Sequence, residues 1–253
     1  MKIRFGLVGA LAIMALAGCA SLGQSGAVSP DEVARTNLDE AGKYYRLGQY
    51  DVALDKLRKA AAAKPQDSQI HELLATTYAR VGDLKQAEYY YRKALQYVPR
   101  ESAEFGEYSN NYGVFLCNKT DYSDAESYFV QAVANPWYRT PQLAYENAGN
   151  CAERAGADDK AKELYAKALA LQPDMPQSLL ALARMSVDQQ DYAAAADYLQ
   201  RYDQKQPANA ESVWLAARVA KARGELARAE KMEQRLKSQF PASPWAIQLA
   251  QPE

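Results

Sequence analysis

Three cysteines and a single histidine are the side chains in this sequence best suited to chemistry. Cys117 closes the stretch NNYGVFLC at 110–117, and Cys151 closes ENAGNC at 146–151. A thiol can act as a nucleophile, cycle in a redox pair, ligate a metal or close a disulfide. Neither of these two belongs to a C-x-x-C pair, and neither can be matched to a convincing base. No zinc-ligand cluster, phosphate loop or serine-nucleophile elbow is present in the sequence. Asp and Glu are scattered as solvated charges, so the residues assemble no catalytic constellation and the expectation is a protein that is not an enzyme. A cryptic enzyme would require titratable groups clustered in a cavity. The cysteine pair reads as a fastener, with two small buried thiols or a redox pair as the competing accounts.

Cys19 belongs to different chemistry. Lys2 and Arg4 precede an apolar run from Phe5 to Ala17, which leads into Leu16-Ala17-Gly18-Cys19. This is the pattern of a secretory signal, too short for the roughly 20 residues of a transmembrane helix. Leu-Ala-Gly-Cys resembles the bacterial lipobox, which implies lipid on Cys19 and removal of the signal peptide at 1–18. Ala20, by resemblance to the lipoprotein sorting pattern, implies the outer membrane, with the protein facing the periplasm. Residues 19–33 then form a lipidated, flexible tether rich in Ser, Gly and Ala, with a mean reach of roughly 20 Å. Export to an oxidising compartment favours a Cys117–Cys151 disulfide, which needs Cα atoms about 5.5 Å apart.

Charge excludes one class of partner. The chain has 30 Lys and Arg against 31 Asp and Glu. Removing 1–18 takes two basic residues and no acidic ones, leaving 28 minus 31, or −3. With no long basic run, nucleic acid is not an expected partner, and no small-molecule substrate or cofactor beyond the lipid is implied.

The elements that carry these residues repeat. RLGQYDVALDKLRKAAAAKP and RVGDLKQAEYYYRKALQYVP align at a 34-residue period. Leu74, Ala75, Tyr78, Ala87, Tyr91 and Pro99 match the tetratricopeptide pattern. Six units follow at 34–67, 68–101, 106–139, 142–175, 176–209 and 210–243, with a short cap at 244–253. Each predicts a helical hairpin: small residues at positions 8 and 20 allow close approach, and large ones at 7, 11 and 24 fill the space. Gly48, Gly82, Gly156 and Gly224 mark the inter-helix turns, while Thr120 departs from that pattern. The expected fold is all-α, a right-handed superhelix or α-solenoid with a concave inner face. His71 falls where the repeat wants a large packing residue, so core packing or a hydrogen bond is its expected role. Most of the 18 tyrosines fall on scaffold positions as well.

Binding residues should come from the first helix of each unit, at positions 2, 5, 9, 12 and 13. Those positions supply Leu38, Tyr45, Arg46, Arg80, Asn110, Val114, Asn118, Asn150, Arg184 and Trp214 as candidate groove residues. Leu38 and Tyr45 stand out as apolar groups that can anchor an amphipathic partner. The competing account has them supporting the tether or the adjacent unit. Lys and Asn are missing where chaperone-binding repeats clamp a terminal carboxylate, which disfavours that ligand.

The segments NNYGVFLC, ANPWY at 134–138 and ENAGNC are not generic to the repeat. They resemble the type IV pilus biogenesis lipoproteins of the PilF and PilW type, the secretin pilotins, across essentially the whole mature chain. The resemblance implies an outer-membrane lipoprotein that binds pilus secretin subunits and supports their localisation and multimerisation. It implies a disulfide between Cys117 and Cys151, and a chain monomeric apart from its partner is expected. The alternative is a periplasmic scaffold of the same fold serving another outer-membrane or cell-wall assembly complex.

Overall fold

The computed structural model describes residues 28–249; Cys19 and the signal segment lie outside the described residues. Those residues form thirteen helices and no strand. Six hairpins follow in order: α1 (Pro30–Arg46) with α2 (Tyr50–Ala63), α3 (Ser68–Val81) with α4 (Leu84–Tyr97), and α5 (Ala103–Asn118) with α6 (Tyr122–Ala134). Then come α7 (Pro141–Arg154) with α8 (Asp158–Leu171), α9 (Pro176–Asp188) with α10 (Tyr192–Asp203), and α11 (Ala210–Ala222) with α12 (Leu226–Gln239). A single short helix, α13 (Pro244–Leu249), closes the array. The fold is the expected α-solenoid.

Small side chains explain the pairing. Ala41, Ala75 and Ala183 at position 8 and Ala53, Ala87, Ala125, Ala161 and Ala195 at position 20 are completely buried, so paired helices meet at their own backbones. In the third and fourth units position 8 shrinks further, to Gly113 and Gly149. Position 24 of those hairpins holds Phe129 and Tyr165, and a β-carbon on either glycine would come within 2.8 and 2.9 Å of those rings. Aromatic bulk on the second helix is thus matched by glycine on the first.

Turns follow the same economy. The four expected glycines adopt positive φ, and two non-glycine residues, Thr120 (φ 66°) and Gln190 (φ 63°), take the same left-handed conformation. Each is a strained choice for an L side chain, most of all for β-branched Thr120. Pro65, Pro99, Pro173 and Pro241 lie just beyond the second helices, where the chain leaves helical geometry.

One boundary departs from the sequence reading. Helix α1 starts at Pro30, so residues 30–33, expected to belong to the tether, are helical. The Ser29 hydroxyl accepts from the Glu32 amide, Pro30 takes the first helical position, and Asp31 and Glu32 fill the first turn. Each favours helix initiation. At the other end Val213, Leu236 and Ala246 form a cluster with Trp214, Trp245 and Leu249, which caps the last hairpin.

The irregular segment between α6 and α7 works as a rivet. Asn135 Nδ2 donates to the Ser102 carbonyl at 2.8 Å, and its Oδ1 accepts from the Trp137 amide at 2.9 Å. Tyr138 is folded under onto Gly106, where a β-carbon would sit 2.5 Å from its own Cβ. The segment therefore locks the third hairpin to the start of α5.

Candidate partner-binding groove

The two cysteines meet. Cys117 near the end of α5 and Cys151 late in α7 form a disulfide with Cα atoms 5.7 Å apart. Beside it, Arg154 Nη1 donates to Asn118 Oδ1 at 2.8 Å. Asn147 Nδ2 donates to Asn110 Oδ1 at 2.9 Å, so α5 and α7 are joined covalently and by side-chain hydrogen bonds.

The first helices of the N-terminal three hairpins enclose a groove of about 1070 Å³. Leu38, Tyr45 and Arg46 come to it from α1, Glu72, Leu73 and Thr76 from α3, and Tyr108 and Asn111 from α5. Five carboxylates line it, those of Asp39, Asp67, Glu72, Glu104 and Glu107, against the two basic groups of Lys43 and Arg46. The groove is net acidic. Tyr45 is half-buried, its ring edge-on to Tyr50 at 5.6 Å, and Leu38 is half-buried against the first core cluster. Both side chains thus divide their surface between the scaffold and the groove.

Glu72 is the most perturbed group there. It is only 8% exposed. Its Oε1 accepts from Asn111 Nδ2 at 2.9 Å, and its Oε2 has no hydrogen-bond partner. Burial pushes the carboxyl up to about 8, opposed by the Asn111 bond and reinforced by the charge of Glu107. The carboxyl is therefore shifted toward its neutral form at pH 7.

Other expected groove residues spread along the array. Arg80 and Arg46 are exposed on their own units, and Val114 is half-buried against the first core cluster. Asn118 is exposed but engaged by Arg154, whereas Asn150 is exposed without a side-chain bond among the described contacts. Arg184 pairs with both Glu153 and Glu211, tying α7, α9 and α11. Trp214 is half-buried, with the Arg218 guanidinium 4.7 Å over its ring and Trp245 at 6.2 Å.

Asn110 corrects the expectation for position 5. It is 7% exposed and committed to Asn147, so it does not face an open groove. The same position in neighbouring units, Glu72, Glu146 and Leu180, is buried too, because it faces the first helix of the next unit. Glu146 Oε2 accepts from the backbone and hydroxyl of Ser178 at 3.0 and 2.7 Å. Glu72, at position 5 of the second unit, and Asn111 and Tyr108 are not among the residues expected from the sequence; a carboxylate recurring at a packing position, Glu72 and Glu146, is the signal that could have found Glu72.

His71 is buried in the scaffold. Its Nε2 lies 2.8 Å from the Pro65 carbonyl, and its ring stacks near Tyr90 and Tyr97. Burial lowers its pKa, the Pro65 hydrogen bond opposing. Among the described residues no cluster of three His, Cys, Asp or Glu could hold a metal, and no helix is long and apolar enough to cross a membrane.

Comparison with known proteins agrees with this geometry. A model of the tetratricopeptide repeat matches residues 38–103, 118–176 and 159–210. The type IV pilus assembly protein PilF of Pseudomonas aeruginosa is 29% identical over 225 residues, covering 87% of each chain. A solved structure from the functional characterisation of that organism's PilF superposes with a TM-score of 0.78 at 27% identity, over 87% of this chain and 98% of the other. The crystal structure of PilW, described as a widely conserved type IV pilus biogenesis factor, gives a TM-score of 0.74 at 28% identity, over 87% and 99%. With its six hairpins, alanine-lined helix pairs and these matches, the chain belongs to the tetratricopeptide repeat family and is homologous along most of its length to PilF.

Proposed function

We propose that this protein acts in type IV pilus biogenesis as an outer-membrane lipoprotein that binds secretin subunits and promotes their localisation and multimerisation. The observation that carries the reading is the extent of the similarity to PilF, 87% of both chains, which reaches far beyond one generic repeat. A groove of about 1070 Å³ at the N-terminal end is large enough for a segment of another chain. Acyl chains on Cys19 would give bound cargo the membrane address of the anchor. Holding subunits at one surface raises their effective concentration for assembly. No bond need be made or broken in the cargo.

Replacing the anchor by Cys19→Ala should leave the helical content unchanged while secretin multimers disappear from the outer-membrane fraction. Undiminished multimers there would overturn the carrier role. Leu38→Ala combined with Tyr45→Ala should weaken capture of secretin in pull-downs, with circular dichroism reporting that the array still folds. Equal capture would move the binding surface away from the N-terminal groove.

A further inference from the structure

We infer that Glu72 is the recognition point of the N-terminal groove for a basic side chain, lysine or arginine, presented by the bound polypeptide segment. This rests on the reading that the groove holds a partner chain, and it adds the chemistry by which that chain is selected.

Two observations point to it independently. The first is the unfinished hydrogen bonding of Glu72, a residue that lines the groove and whose buried Oε2 has no partner. A buried polar atom left unpaired carries a desolvation penalty that a ligand can relieve. The repeat supplies a comparison, because Glu146 holds the same position two units later, its Oε2 accepts twice from Ser178, the third residue of the next unit, and neither of its oxygens is a buried atom without a partner. The corresponding third residue facing Glu72 is Tyr108, which lines the groove and makes no hydrogen bond to it. Glu72 is therefore an interface carboxylate whose second oxygen the scaffold leaves unserved.

The second observation is the charge around it. Setting aside Glu72 itself, whose carboxyl is shifted toward the neutral form, four carboxylates stand against two basic groups along the groove, so the field favours a cation over an anion or an apolar segment. Lining the groove with Glu72 are Asp39, Lys43, Tyr45 and Arg46 from α1, Asp67 at the N-cap of α3, and Glu104, Glu107 and Tyr108 from α5, while Tyr91 of α4 is held neutral by burial and feels the Glu72 charge. On its own helix, His71 is turned to Tyr90 and Tyr97. A cation docked at Oε2 would favour the ionised carboxylate, so the carboxyl would lose its proton as the complex forms. With a free-state value of about 8, binding at pH 7 would release most of one proton.

The test uses the intact protein, fluorescent peptides tiling the periplasmic part of the secretin, and a control library of peptides carrying one Lys or Arg among apolar residues. A groove-binding secretin peptide should lose tenfold or more in affinity when its basic residue is replaced by norleucine, a change that leaves the protein untouched. Glu72→Gln, which preserves shape and can still accept from Asn111, should cause a similar loss, and the two changes together should cost little more than either alone. Affinity for the wild type should rise about tenfold from pH 7 to pH 9 as the released proton becomes free to leave, and stay flat for Glu72→Gln. Calorimetry in buffers of different ionisation enthalpy should show the proton release, which a purely structural glutamate would not produce. Secretin peptides that bind equally well without their basic residue, or with no proton release, would overturn the role of Glu72 and leave the secretin partnership standing. Glu72-dependent binding confined to the control library would support the basic-residue site and overturn the choice of secretin as its partner. Binding by neither set would overturn the site.

Discussion

Removing the Cys117–Cys151 cross-link should destabilise the centre of the array by an amount that the chain-entropy account of disulfides makes explicit. The two cysteines are 34 residues apart. Closing a loop of that length removes about 12.6 cal/mol/K of entropy from the unfolded chain, about 3.8 kcal/mol at 25 °C. The loop contains the whole of α5's partner helix α6 and most of α7, so the loss falls on the junction between the third and fourth hairpins. In a linear array stability is a sum of unit and neighbour contributions, so a weakened junction separates the molecule into two halves rather than lowering every part equally. Urea unfolding of Cys117→Ala with Cys151→Ala, followed by helical circular dichroism, should show a lower midpoint and a broadened or biphasic transition. Reduced wild-type protein should behave like the variant. Proteolysis should then cut preferentially around residues 119–141, between the end of α5 and the start of α7. A fall in stability below about 1 kcal/mol, with one sharp transition retained, would refute the assignment of the cross-link to this junction's stability.

Gly106→Ala should destabilise by about 1–3 kcal/mol, since the new methyl would meet Tyr138 at 2.5 Å and that ring is held from behind by the Asn135 turn; thermal unfolding measures it, and an unchanged melting temperature would show the segment yields freely. Thr120→Gly should do the opposite, stabilising by about 1 kcal/mol through relief of the left-handed conformation, partly offset by the greater freedom of the unfolded chain. Glu72 gives a pH signature in the absence of any partner. Its folded value, about 8, lies above the ordinary 4.5, so its contribution is complete below pH 4.5 and lost as pH rises through 8. At about 1.4 kcal/mol per unit this amounts to up to about 5 kcal/mol, and Glu72→Gln should remove that part of the difference in urea midpoint between pH 5 and pH 8.5.

Most of the fold was legible because close helix packing leaves a mark on residue size. Alanine or glycine must stand where two backbones touch, so positions 8 and 20 announce themselves and the period follows. Turn conformation was less legible: Gly48 and Gly82 declare a positive φ, but Gln190 adopts one with no trace in its side chain. The start of α1 was written in Ser29-Pro30-Asp31-Glu32, yet composition drew those residues into the tether because Ser and Gly dominate the stretch before them. The groove was read only in part. A repeat position specifies the direction a side chain leaves its helix, but not whether the next unit covers it, and position 5 lies on that border. Leu38 reaches the groove while Asn110, in the same register, is sealed by Asn147.

That border also decides what the segments peculiar to the middle of the chain can say about function. NNYGVFLC and ENAGNC are the two halves of one joint. Asn110 meets Asn147, Cys117 is bonded to Cys151, Asn118 receives Arg154, and Gly113 and Gly149 make room for Phe129 and Tyr165. ANPWY supplies the rivet beneath it through Asn135 and Tyr138. These residues are distinctive because they hold the third and fourth hairpins together, and most of them are buried in doing so. A resemblance carried by these segments is therefore evidence about a joint between hairpins rather than about a partner. Partner choice has to be carried by side chains still accessible after the joint is made, and the N-terminal groove combines such exposure with an unserved polar atom and a net charge. Apart from buried Glu72, substitutions in the groove should therefore change which segment is held while leaving the array's unfolding transition largely intact, whereas substitutions in the joint should move that transition first and binding only through it.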